Sequence, residues 1–381
     1  MATPLTVAPI TRDQHLSAIA HAGSASFLQT PAWGEVKGGW RAESVGWFEG
    51  EPNASQPVGS ALILYRQAPG MRRYLAYIPE GPAIDWADAA APGGLARWID
   101  PLLAHVKRQA AFGLRIGPMV VTRRWSNATL KAALADSSVT RLRDVPADET
   151  TDIGRSLRDQ FTAAGWRPPR DQEGFAAGQP RHVFQLPVAG CDRDAVFKGF
   201  NQLWRRNIKK ADKAGVTVRL GTADDLPTFH ALYEQTARRD GFTPRPLSYF
   251  QTMWNAMTAE APDRLRLYMA EHDGDLVAST TMTQVGRHAW YSYGASSTEK
   301  REVRGSNAIQ WRMITDALDD GAEIYDLRGI TDTLDESDPH AGLIRFKLGT
   351  GGEAVEYLGE WDLPISRILY TGFDLYVRRR G

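Results

Sequence analysis

Residues 197–213 read FKGFNQLWRRNIKKADK and carry six basic side chains and one acidic one. Placed on a helix, Phe197, Phe200, Trp204, Ile208 and Ala211 recur every three or four positions and form one apolar stripe. Lys198, Arg205, Arg206, Lys209, Lys210 and Lys213 fall on the opposite arc. A face that is merely solvated usually mixes signs. A one-signed face suits a polyanion held through salt-dependent phosphate contacts. Gly215 is placed to end this helix, and VTVRL (216–220) reads as a strand.

The rest of the chain limits what that patch can serve. Lys+Arg and Asp+Glu are balanced at 45 each, so the protein is not a mass binder of nucleic acid, and a local patch must suffice. One cysteine, Cys191, excludes an intrachain disulfide framework and a Cys-rich metal site. The N-terminal stretch lacks the basic and apolar regions of a signal peptide. No apolar run approaches the roughly 18 residues of a membrane span. A cytoplasmic location is therefore expected. None of the eight histidines sits in a metal-ligand or triad pattern, and His340, in DTLDESDPHAG (332–342), reads as exposed. No metal or other cofactor is expected.

The elements around the patch repeat. VGWFEG (45–50), PVGSALILYRQ (57–67), RRYLAYIPEGPAID (72–85), a helical stretch near 95–111 and FGLRIG (112–117) form one copy. LYMAEHDGDLVASTTMTQVG (267–286), HAWYSYGAS (288–296), a helical stretch near 306–320 and AEIYDLRGI (322–330) form the other. So long a period means two copies of one α+β domain rather than a solenoid. The Pro- and Gly-rich segment 136–180 reads as excursion and linker, with FTAAGW inside it as a short element.

With these motifs in view, the chain resembles the FemABX family of peptidoglycan-bridge aminoacyltransferases over nearly its whole length. The likeness rests on QTPAWGEVKGGW (29–40), RRNIKKADKAGVTV (205–218), DGFTPRPLSYF (240–250), WYSYGAS (290–296), YDLRGI (325–330), GLIRFKLGTGGEAVEYLGEWDL (342–363) and Tyr370. No long charged heptad run lies between 200 and 340, so it is similar to the FemX-like branch without a helical arm. The resemblance implies two tandem acetyltransferase-like (GNAT) domains with a cleft between them. The expected division is 1–180 plus a C-terminal strand segment, 358–381, for the acceptor domain and 181–357 for the aminoacyl-tRNA domain.

The implied activity moves a small amino acid from aminoacyl-tRNA to the stem-peptide amine of a peptidoglycan precursor. Glycine is favoured, with alanine or serine as options. The expected partners are aminoacyl-tRNA and a UDP- or lipid-linked muramyl-pentapeptide, with a peripheral membrane contact as an option, and a monomer is expected. The resemblance implies that Lys37, with Trp40, and Arg245 hold the acceptor diphosphate, a task for which paired cations and an Arg fork are suited. It implies that Tyr249 and Tyr293 line the same cleft. Phe346-Lys347 matches the family's FK pair, and Lys347 is the expected catalytic residue, supplying positive charge to the developing oxyanion. The basic arc of Arg205, Arg206, Lys209, Lys210 and Lys213 is assigned to tRNA.

The sequence departs from the family at Phe112 and Gly117, where FemX-like members carry a tyrosine and an aspartate. Asp85 and Asp326 are weak substitutes for a base, and a substrate carboxylate is another. Two other functions remain on the same fold. One is an aminoacyl-tRNA-dependent enzyme that decorates a small metabolite. The other is an acyl-CoA N-acyltransferase, although REVRGSNAIQ (301–310) keeps only one glycine of a pyrophosphate loop.

Overall fold

The structure, a computed structural model, describes residues 3–52, 56–169, 178–335, 338 and 341–378. His340 and part of the linker expected at 136–180 lie outside the described residues. The strands in chain order are β1 (Leu5–Pro9), β2 (Arg41–Glu49), β3 (Gly59–Gln67), β4 (Tyr74–Ile78), β5 (Ala111–Ile116), β6 (Val121–Trp125), β7 (Glu149–Thr150), β8 (His182–Pro187), β9 (Thr217–Leu220), β10 (Leu265–His272), β11 (Asp275–Val285), β12 (His288–Ser296), β13 (Ile324–Gly329), β14 (Glu353–Tyr357) and β15 (Trp361–Pro364).

Two units divide the chain. The first comprises Met1–Arg124, Ala147–His182 and Val355–Gly381, and the second Trp125–Pro146 and Val183–Ala354. These bounds differ from the sequence expectation at one long segment, since Trp125–Pro146 clusters with the second unit. Its Trp125 indole donates to Val145 O, and Asn127 donates to Leu348 O and Gly352 O.

In the first unit the sheet runs β1-β2-β3-β4-β5-β15, antiparallel except for the parallel pair β4–β5. In the second, β9-β10-β11-β12-β13-β8 lie side by side as six strands of a nine-stranded sheet, antiparallel except for the parallel pair β12–β13. Two helices follow the first strand of each sheet: Arg12–Ala22 and Pro31–Val36, then Leu226–Asp240 and Leu247–Glu260. A long helix makes each parallel crossover, Gly94–Arg108 and Gly305–Asp319. A parallel pair needs such a crossover, and this α+β pattern repeats in both units. The sixth strands differ in origin: β15 comes from near the C-terminus and β8 from ahead of its own sheet.

The segment expected as linker contains the helix Asp152–Ala163, capped by the Thr151 side chain accepting from Gly154 N–H. It forms because Leu157 and Phe161 have a core to enter. Phe161 stacks on Trp361 at 5.3 Å between ring centroids. The closing segment, read from sequence as strand, is β15 followed by the helix Arg367–Arg378, whose Tyr370 and Phe373 pack with Phe112, Ala68 and Leu75.

Candidate active site

Lys347 lies in the helix Ala341–Leu348 and is only 2% exposed. Its Nζ donates to Gly329 O at 2.7 Å and to Arg328 O at 3.2 Å. Both carbonyls belong to the end of β13, where Arg328 adopts φ 64° and the register with β8 shifts between Asp326 and Gly329. A left-handed residue that is not glycine persists only where its surroundings hold it. The holding group is Asp326, whose Oδ1 accepts the Arg328 N–H at 2.6 Å. Its Oδ2 accepts from Gln185 Nε2 at 3.0 Å and meets His288 Nε2 at 3.3 Å. The His288 ring stacks on Trp290 at 4.0 Å. β12 and β13 pair from His288–Ile324 to Trp290–Asp326, so Asp326 marks the last rung before the lysine's carbonyls.

The electrostatics of this cluster are opposed. Burial drives the Lys347 pKa down to about 7, the Asp326 charge pulls it up, and the Arg328 charge pushes it down. Burial raises the Asp326 pKa, but the hydrogen bond and charge of His288, with Arg328 and Gln185, leave it below the usual carboxylate value. Asp326 is therefore an ionised, fully bonded carboxylate and a poor base. Asp85, the other substitute considered, caps the helix Trp86–Ala90 by accepting from Ala87 N–H and Asp88 N–H. Beside Lys347, Phe346 packs on Trp204 at 4.8 Å, and the Trp204 indole donates to Phe346 O at 2.9 Å.

Also in the second unit, the hydroxyls of Tyr249 and Tyr293 lie 2.9 Å apart. Burial, then the Tyr293 neighbour, raises the Tyr249 pKa far beyond its ordinary value. The exposed Arg245 guanidinium sits 5.5 Å from the Tyr249 ring, and its carbonyl accepts from His230 at 2.9 Å. Arg245, Tyr249 and Tyr293 thus form one group. The edge-on contact of Tyr293 with Phe250 at 5.1 Å adds a packing role to its polar one.

In the first unit, Lys37 follows the helix Pro31–Val36, with its Nζ 5.5 Å from the Trp33 ring. Trp40 N–H donates to Lys37 O, and the Trp40 ring lies 6.2 Å from Tyr77 and 5.6 Å from the Arg66 guanidinium. Behind Tyr77 is a carboxyl that sequence reasoning missed. Glu360 is buried, accepts from the Tyr77 hydroxyl and lies 3.8 Å from Arg115. Burial raises its pKa, with Arg115 and Tyr77 opposing. A Cβ added to Gly117 would sit 3.3 Å from Glu360 Cγ, so the departure at 117 leaves room for this side chain. No local pattern marks Glu360, because its partners are remote in sequence.

The opening stretch forms two helices rather than one, Arg193–Gly199 and Gln202–Lys213. Asn201 restarts the chain by accepting from Trp204 N–H at 2.8 Å, the bond of an N-cap residue. Phe200, Trp204, Ile208 and Ala211 are buried, while Arg206, Lys209, Lys210 and Lys213 are exposed and Arg205 is half-buried.

Two copies of one α+β unit, each with a helical crossover between parallel strands, make a tandem acetyltransferase-like (GNAT) fold. The sequence matches the FemAB family over residues 10–275 and 264–377, and the chain belongs to that family. It is 23% identical to the lipid II:glycine glycyltransferase of Staphylococcus saprophyticus and 24% identical to that of Staphylococcus aureus strain USA300. Each alignment covers 95% of this chain and 93% of the relative. This kinship makes the chain an enzyme of the aminoacyltransferase class. Among solved structures it is similar to FemX, with a TM-score of 0.78, 21% identity and coverage of 97% and 99% of the two chains. It is also similar to a tandem GNAT protein from the clavulanic acid biosynthesis pathway, with a TM-score of 0.50, 13% identity and coverage of 95% and 98%. At these identities both likenesses concern the fold.

Proposed function

We propose that this enzyme transfers a small amino acid, glycine favoured, from aminoacyl-tRNA to the stem-peptide amine of a muramyl-pentapeptide precursor. The observation that carries the reading is the buried Lys347 ammonium, tethered by two backbone carbonyls beside Asp326. The relatives' name, lipid II:glycine glycyltransferase, supports the acceptor class and the preference for glycine.

The donor ester is already activated. The amine attacks its carbonyl carbon, a tetrahedral oxyanion forms, and the C–O bond to the ribose breaks as the amide forms. The proton lost by the amine is matched by one gained by the ribose oxygen. An ammonium has three N–H groups, and Lys347 commits two of them to Arg328 O and Gly329 O. The third is assigned to the developing oxyanion, as a preorganised donor in a site shielded from water. Lys37 and Arg245 are assigned to the acceptor's phosphates, Trp40, Tyr249 and Tyr293 to its binding, and Phe346 to the donor side. Glu360, whose carboxylate burial makes more basic than usual, is the first-unit candidate to receive the amine's proton. The exposed cations of Gln202–Lys213, with Arg205, are assigned to the tRNA.

The test is incubation with a set of charged tRNAs and with UDP-linked and lipid-linked precursors, followed by mass analysis of the pentapeptide. A glycyl adduct that needs glycyl-tRNA is the expected product. An adduct formed from an acyl-CoA, or none with any tRNA, would reject the proposal.

A further inference from the structure

One edge of the first unit gathers positive charge and exposed apolar side chains in a chain whose net charge is zero. It is the edge where β3 ends and β4 and β5 begin. The turn after β3 carries Arg72 and Arg73, both exposed, with Met71 43% exposed between Gly70 and Arg72. The adjoining helix Gly94–Arg108 ends there in Lys107 and Arg108, since Ala110 O accepts from Tyr74 N–H at the start of β4. Over the same edge lies the helix Arg367–Arg378. Its inner face packs on Ala68, Leu75 and Phe112, and its outer face presents Ile368, 86% exposed, and Leu375, 53% exposed. Exposed Arg367 opens this helix, whose one acid is Asp374, and from 66 to 73 the sequence holds three arginines and no acid. Arg66 joins this edge to the residues assigned to the acceptor. Its guanidinium lies 5.4 Å from the Phe373 ring and 5.6 Å from the Trp40 ring.

We propose that this edge docks on the surface of an anionic lipid bilayer, with Ile368, Leu375 and Met71 entering the interface and the surrounding cations meeting lipid phosphates. Isolated apolar residues at a surface need no explanation, but two exposed apolar side chains two turns apart on one helix face, accompanied by Arg66, Arg72, Arg73 and Arg367, fit an interfacial helix. Each Lys or Arg near an anionic leaflet adds attraction that salt weakens. The inference rests on the proposed function in one respect. In a lipid-linked acceptor the diphosphate lies at head-group level, so a residue that binds it, as assigned to Lys37, belongs beside the bilayer. Trp40 and Arg66 put Lys37 next to this edge.

The test has two arms. In the first, the full chain is sedimented with phosphatidylcholine vesicles and with vesicles containing about a third phosphatidylglycerol, at low and high salt. Binding is expected to the anionic vesicles, weaker at high salt, and reduced about tenfold or more by Ile368→Glu with Leu375→Glu or by Arg72→Glu with Arg73→Glu. Arg206→Glu with Lys209→Glu and Lys213→Glu, on the helix assigned to tRNA, should leave vesicle binding in place. Equal binding to both vesicle types, or loss only with the last variant, overturns the proposal. In the second arm, Ile368→Glu with Leu375→Glu should lower kcat/KM for a vesicle-embedded lipid-linked acceptor about tenfold, and that for a soluble UDP-linked acceptor less than twofold. An equal fall with both acceptors overturns the docking role. If neither acceptor is used by wild type, the proposed function fails, while the vesicle result still decides the surface.

Discussion

Lys347 is a cation kept where a cation is costly. Two carbonyls and the Asp326 carboxylate favour its ammonium, while burial opposes it and leaves the pKa at about 7. Lys347→Ala should lower kcat about 10²–10³-fold, as expected on losing one oxyanion donor, with the acceptor KM little changed. A matching loss of acceptor binding would move the residue to substrate capture. The ammonium is the form that stabilises an oxyanion, so wild-type kcat/KM should fall as pH rises through about 7. Asp326→Asn can still accept the Arg328 N–H but lacks the charge that favours the ammonium. The fall should then move to lower pH, and superimposable profiles for wild type and variant would refute this coupling. Glu360→Gln keeps the shape and removes the ionisable carboxyl proposed as the base. It should slow turnover more than it weakens acceptor binding, measured as kcat against KM.

At the scale of elements, the helix Gln202–Lys213 keeps its apolar contacts on one face and its cations on the other, the face proposed to meet tRNA. Trp204 and Ile208 hold it to the second unit, with Trp204 bonded to Phe346 O. Reversing Arg206, Lys209 and Lys213 to Glu should therefore leave thermal unfolding nearly unchanged. It should raise the KM for aminoacyl-tRNA and flatten its salt dependence, because fewer counterions are released. Unaltered tRNA kinetics at two salt concentrations would reduce the helix to a solvated face. The inner contact is tight: a Cβ at Gly349 would lie 2.0 Å from Trp204 Cδ1. Gly349→Ala should destabilise by about 1–3 kcal/mol through overpacking, read as a lower midpoint in urea.

At the scale of the whole molecule, the first unit is assembled from three stretches of chain, and the last of them is structural. β15 pairs with β5, Trp361 stacks on Phe161, and Asp362 receives a two-bond Arg115 guanidinium at 2.7 and 2.9 Å. Trp361→Ala should cost about 3–5 kcal/mol, the range for a large buried aromatic. Native-state proteolysis should then cut the first unit before the second. Early cleavage of the second unit instead would contradict this division.

The sequence by itself carried the duplication, the α+β class, the apolar stripe through Phe200, Trp204 and Ile208, and the family. These are legible because period and strand–helix alternation are local properties of neighbouring residues. It misread the break at Asn201, which one side-chain cap decides, and the helices Asp152–Ala163 and Arg367–Arg378, which exist because distant aromatics give them a core. It marked Lys347 but not what surrounds it. The left-handed Arg328, the Asp326 bond that holds it, and His288 and Gln185 behind that carboxylate are brought together only by the pairing of β8, β12 and β13. Glu360 beside Gly117 is the same case, a carboxyl whose burial and partners come from β4, β5 and Gln179. Local periodicity reveals which elements form. Desolvation and partner geometry, which set the chemistry of a side chain, depend on residues remote in the chain, and tertiary structure alone decides them.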